Sequence, residues 1–233
     1  MRYFSTLPIM LLLSLLMLTG CSTEGRESGR MYNALLKDVE AIEALGADAS
    51  IGDRLAAYSR ARHRIEELRT RYASTRRGEE VLGNPALSSS HSVEDILYEA
   101  TSLEKQAYDE LSENQIEFII LNTLPTPELR NDRLESHGLS LVRQGALEEA
   151  EAVIPHLLNS LSTAIVQLEI AKEYQHQGNI EAAREFSLEA YDNISRYNFN
   201  EAVCSTASCE GEETRKMLVD TELRRVRIAL YAH

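Results

Sequence analysis

Arg143-Gln144-Gly145-Ala146-Leu147-Glu148-Glu149-Ala150 returns, 33 residues on from Gly145 to Gly178, as His176-Gln177-Gly178-Asn179-Ile180-Glu181-Ala182-Ala183. Each copy sets a glycine between two helix-forming stretches. Glycine tolerates positive φ, so it can stop one helix and turn the chain into the next. Ala150 and Ala183 stand where the second helix of each pair would cross the first closely, and a larger side chain would push the two apart. Gly138 and Ala171 supply matching small residues in the first helix of each pair. The expected unit is therefore an antiparallel helix hairpin, used twice, and the expected fold class is all-α.

A helix-turn-helix period near 34 residues with these small residues resembles the tetratricopeptide (TPR) repeat. The resemblance covers residues 128–196. It implies a TPR-like α-solenoid, a stacked array in which each repeat packs on its neighbours. Tyr174 stands where such repeats often place a packing aromatic, with Leu141 there in the first copy. Ala190 stands near the end of the second helix, with Leu157 there in the first copy. No proline closes either copy at the usual place, and Pro155 falls inside an expected helix, where it should kink the chain. Gly211 lies at the same offset again. However, Lys216 replaces the small residue there, so a third copy would be degraded.

Working outward, apolar residues recur at helical spacing throughout. Tyr32, Leu35, Leu36, Val39, Ile42 and Leu45 make one stripe, which Gly46 should end. Ile51, Leu55, Tyr58, Ile65, Leu68 and Tyr72 make a second, and a short helical piece follows to Leu82. Gly83-Asn84-Pro85 and Ser88-Ser89-Ser90 read as a loop. Ser92, with Asp95 three residues on, caps a third stripe of Val93, Ile96, Leu97, Ala100, Leu103, Ala107 and Leu111. After a short apolar piece, Ile116 to Leu124, comes Pro125-Thr126-Pro127. This breaker divides an N-terminal helical region, residues 31–124, from the repeat region. Residues 31–124 look like degenerate hairpins of the same kind. Residues 197–233 read as a cysteine-containing loop and a capping helix with the stripe Met217, Leu218, Leu223, Val226, Ile228 and Leu230.

The N-terminus has the features of an export signal. Arg2 precedes an apolar run from Leu7 to Leu18, too short for a transmembrane helix of roughly 20 residues. The run ends Leu18-Thr19-Gly20-Cys21, which resembles the bacterial lipobox. The resemblance implies that residues 1–20 are removed and that the Cys21 sulfur is acylated. Ser22 resembles the outer-membrane class of the enterobacterial sorting pattern. Residues 21–30 would then be a lipid-proximal tether, with the domain facing the periplasm. In an oxidising compartment Cys204 and Cys209, at the two ends of Cys-Ser-Thr-Ala-Ser-Cys, read as a disulfide, ahead of free thiols or half a metal site.

The chain carries 24 basic and 37 acidic side chains. That balance repels phosphate backbones, so nucleic acid is not an expected partner. None of the six histidines forms a paired ligand spacing, and no nucleophile elbow, phosphate loop or dinucleotide motif is present. Acid pairs such as Glu148-Glu149 and Glu212-Glu213 sit at expected helix starts, where they favour the dipole. The expectation is a non-catalytic chain with no cofactor. Its partners would be an envelope protein and the lipid bilayer, reached through acylated Cys21. Rival expectations are an enzyme or accessory subunit acting on cell-wall material, and a structural lipoprotein that assembles with itself.

Two surfaces stand out. Residues 54–77 hold Arg54, Arg60, Arg62, Arg64, Arg69, Arg71, Arg76 and Arg77 against Glu66 and Glu67. They read as one arginine-rich helix, either with a solvated face paired with acids such as Asp38, Glu40 and Glu43, or with a docking strip for an acidic protein or anionic headgroups. The other surface follows from the TPR resemblance. It implies a concave, partner-binding face of Asp132, Glu135, Leu139, Val142 and Arg143 in the first copy. In the second copy the residues are Ile165, Leu168, Lys172, Gln175 and His176. The alternative is that Leu139, Val142, Ile165 and Leu168 are core, packed under the N-terminal helices.

Overall fold

The computed structural model describes residues 7–46, 48–197 and 206–232, with side chains described for 23–46, 48–197 and 211–232. Among these residues the regular structure is helical, apart from an isolated Ala86–Ser92 bridge. The chain divides into two compact units that meet at Pro125 and Thr126.

In the first unit, α1 (Leu7–Glu43) and α2 (Ile51–Thr70) form an antiparallel pair. Next come α3 (Arg76–Leu82), α4 (Val93–Ala107) and α5 (Glu113–Asn122). Helix α2 is the centre. Its Ala57, Ala61, Ile65 and Leu68 pack with Tyr32, Leu35, Val39 and Ile42 of α1, and with Val93 and Ile96 of α4. Leu55 packs instead with Leu103, Ala107 and Ile116. Ser92 caps α4 in a reciprocal box with Asp95, as the sequence predicts. Asn84 takes the left-handed turn at φ 53°, and its side chain accepts from the Glu94 N–H.

Three details differ from the sequence reading. The tether residues 23–30 are helical, continuous with the rest of α1. Tertiary contact overrides their weak propensity: Ser28 is buried, and Glu27 accepts from the Tyr72 hydroxyl and lies 3.9 Å from Arg71. Helix α1 stops at Glu43, and Gly46 does not adopt positive φ. The arginine-rich residues 54–77 are not one helix, because a turn at 71–75 separates α2 from α3.

In the second unit, α6 (Pro127–Arg143) and α7 (Leu147–Val153) precede α8 (Ser160–His176) and α9 (Ile180–Arg196), and α10 (Thr206–Tyr231) follows. The starts of α6 and α8, their ends, and the starts of α7 and α9 are each displaced by 33 residues. Both intervening turns are made by glycine in the left-handed region, Gly145 at φ 76° and Gly178 at φ 81°. Helices α8 and α9 are antiparallel: Gln167 bonds Glu189 and Asn193 at 2.8 and 2.9 Å, and Tyr174 stacks on Phe186 farther along. Ala150, Ala171, Ala183 and Ala190 are all fully buried. A Cβ on Gly138 would stand 3.3 Å from both Val166 methyls and 3.6 Å from Val153, so the small residue sets how closely α6, α7 and α8 pack.

Pro155 ends the second helix of the first pair rather than kinking it. Helix α7 stops at Val153, and a 3₁₀ turn over Ile154–His156 leads to extended Leu157. Gly211 lies within α10 and not at a turn. On α10 the buried stripe is Val219, Leu223, Val226 and Leu230, whereas Met217, Leu218 and Ile228 are exposed. The spacing 219, 223, 226, 230 tracks one helical face, and the other three lie off it.

This packing carries an expected outcome. Ala183→Leu forces a branched side chain into a fully buried site and should cost about 1–3 kcal/mol. Gly178→Val should cost about 1–2 kcal/mol or more, since a β-branched residue is strained at φ 81°. Urea unfolding monitored by circular dichroism checks both. Unchanged midpoints would contradict the hairpin packing.

Candidate functional site

Helices α6 and α8 run side by side in the same direction. Asn131 bonds Ser162 at 2.8 Å, and its Oδ1 accepts from the Leu158 N–H at 2.7 Å. The Ser162 hydroxyl donates to Glu135 at 2.5 Å, and Arg215 of α10 pairs with the other oxygen of the same carboxylate. One turn farther along, the seam opens into a cleft of about 220 Å³ lined by Leu139, Val142, Arg143, Ile165 and Glu169. Helical spacing explains the lining. Residues 135, 139 and 142 follow one face of α6, and residues 162, 165, 169 and 172 follow one face of α8.

Of the ten face residues that the TPR resemblance implies, four line this cleft: Leu139, Val142, Arg143 and Ile165. Val142 is its buried floor, Leu139 and Ile165 are half-buried, and Arg143 is exposed at the rim. Lys172 is half-buried and holds Glu169 in a 2.7 Å ion pair. Asp132 and His176 are exposed, and Gln175 is half-buried. Glu135 and Leu168 are not on an open face. Glu135 is buried in the α6–α8 polar network, because Ser162 and Arg215 occupy both its oxygens. Leu168 is core, packed with Leu161, Ala164, Ala183 and Leu223. Its packing partners come from α8, α9 and α10, whereas the core alternative placed it under the N-terminal helices. Glu169 is not among the residues that the repeat pattern implies. Its spacing from Ile165 and Lys172 (four and three residues) is the signal that could have found it.

The tyrosine of the second copy has a definite task. Tyr174 donates to Glu151 of α7 at 2.8 Å while stacked on Phe186 of α9. That hydrogen bond, with burial, pushes its pKa up to about 12. It therefore stays a neutral donor that joins α7, α8 and α9.

The arginine strip is largely wiring within the first unit. Arg64 pairs with Asp38 of α1. Arg54, Arg62 and Arg69 reach Glu99, Glu104 and Glu94 of α4 at 3.3, 2.9 and 2.6 Å. Arg71 pairs with Glu67 and Arg77 with Glu80. These pairs fit the reading of a face paired with acids, and Asp38 is one of the acids that reading names. Arg60 and Arg76 lie outside these pairs.

Among the described residues no group of three or more His, Cys, Asp or Glu is placed to hold a metal ion, and no helix is long and apolar enough to cross a membrane. The side chains of Cys21, Cys204 and Cys209, with their expected acylation and disulfide, lie outside the described residues. No family model, curated protein or solved structure matches the chain.

Proposed function

We propose that this chain is a membrane-anchored, non-catalytic interaction scaffold of the bacterial cell envelope. Its second unit would be a short TPR-like array whose first-helix seam receives a partner protein. The supporting observation is the 33-residue displacement of α6–α7 onto α8–α9, with glycine at positive φ in both turns. Stacked hairpins of this kind expose the seam between their first helices, and the 220 Å³ cleft lies on that seam. Acylation of Cys21 in the lipobox-like Leu18-Thr19-Gly20-Cys21 would hold the chain at the outer membrane, the domain facing the periplasm. Cys204 and Cys209 would be joined as a disulfide in that compartment.

Charge reversal at the cleft tests the reading. The double variant Arg143→Glu, Lys172→Glu reverses one exposed charge and one half-buried charge that is still open to water. It should shift the melting temperature little, since exposed pairs contribute about 0–1 kcal/mol. It should nonetheless abolish co-purification of the partner from cross-linked membranes, as identified by mass spectrometry. Recovery of the same proteins with the variant would rule out this cleft as the docking site.

A further inference from the structure

We infer that the α6–α8 cleft recognises an extended peptide bearing an apolar side chain two residues from a carboxylate. The inference rests on the proposed scaffold reading and adds the chemistry of the partner.

Size comes first. An apolar cavity of about 150 Å³ holds a benzene ring. A cleft of about 220 Å³ therefore has room for one branched or aromatic side chain, and not for a helix face. The apolar part of its lining, Leu139, Val142 and Ile165, can take that side chain out of water. Charge comes next. Arg143 stands exposed at the rim and has no acidic partner among the described residues. The opposite wall carries Glu169, whose charge is already offset by Lys172 at 2.7 Å. An incoming anion thus meets an unpaired cation on one side and a neutralised carboxylate on the other. Arginine can bind a carboxylate through two parallel N–H donors, which fixes orientation as well as affinity. Spacing agrees with both. Leu139 and Arg143 are one helical turn apart, a rise of about 6 Å. Same-side residues of an extended strand, two positions apart, are separated by about 6.8 Å. An apolar residue seated over Leu139 therefore brings the residue two positions away to the Arg143 guanidinium.

The test uses the full chain in detergent micelles and a library of random octapeptides displayed on phage, selected in parallel on wild type and on Arg143→Glu. Wild type should enrich peptides with an apolar residue two positions from Asp or Glu, and the variant should not. Arg143 is exposed, so a matching melting curve will show that the variant is folded. Enriched peptides are then synthesised with the acid changed to Asn, or the apolar residue changed to Ala. On wild type the Asn change should weaken binding about tenfold or more, as expected for a charge-assisted hydrogen bond. On Arg143→Glu it should have no such effect, whereas the Ala change should weaken binding to both. Enrichment of apolar peptides without an acid, or an Asn penalty that persists on Arg143→Glu, would overturn this inference and leave the cleft as a docking site. Absence of any enrichment would overturn both readings.

Discussion

Gly78→Ala is expected to destabilise the first unit strongly. Gly78 is buried in α3, and a Cβ there would be driven into the turn that ends α2, 2.7 Å from the Tyr72 carbonyl carbon and 2.9 Å from the Ala73 Cα. These are backbone atoms, so no rotamer change relieves the clash; the turn itself must move. The same turn holds Tyr72, which is buried against α1, and Thr75, which caps α3 through the Gly78 N–H at 3.1 Å. Overpacking costs about 1–3 kcal/mol when side chains can adjust. Here the expected loss is about 3 kcal/mol or more, a fall in Tm of roughly 12 °C or more for a unit of about 100 residues. Thermal melts of wild type and variant check it, and a shift of a few degrees would show that the turn yields more readily than its backbone contacts imply.

The second large effect is expected at Arg64. Its guanidinium pairs with Asp38, whose side chain is only 10% exposed, and it also lies against Met31. Arg64→Ala removes the partner and leaves a carboxylate shut away from water. Breaking a buried pair on one side commonly costs 3–5 kcal/mol. Because Arg64 itself is 20% exposed and water can enter behind it, about 3 kcal/mol is expected, the low end for such pairs. The double variant Asp38→Asn, Arg64→Met should recover most of that loss, since it removes both charges and keeps the volume. Denaturant midpoints of the three proteins test this. A double variant no better than Arg64→Ala would mean that packing of the arginine stem, and not its charge, is what matters.

The contrast between the two units shows what a sequence can reveal. The repeat is legible because its signal is local: a glycine that must turn and an alanine that must be small, at a constant interval. Both glycines are at positive φ, and the alanines are buried. The arginine strip is ambiguous in sequence because its meaning is not local. Arg54, Arg62 and Arg69 find Glu99, Glu104 and Glu94 on α4, 25 to 45 residues away, and only the pairing of α2 with α4 decides that. Pro155 is recognisable as a helix disrupter, yet whether it kinks or terminates a helix is set by the backbone around it, here a 3₁₀ turn over Ile154–His156. The cleft is half legible. Leu139, Val142, Arg143 and Ile165 come from the repeat pattern, but burial of Glu135 depends on Arg215, 80 residues later, and Glu169 becomes visible only beside Lys172.

Whether the α6–α8 seam is the docking surface of an envelope scaffold is tested most directly by photocrosslinking. A photoreactive amino acid is placed at Gln144 or His176, both exposed at the C-terminal end of that seam, and at Tyr98 on α4, which is 77% exposed. Cells carrying each full-length variant are irradiated, and the adducts are resolved by mass spectrometry. Positions 144 and 176 are expected to trap the same discrete protein, and position 98 is not. Adducts shared by all three positions, or none from 144 and 176, would contradict the assignment of the seam.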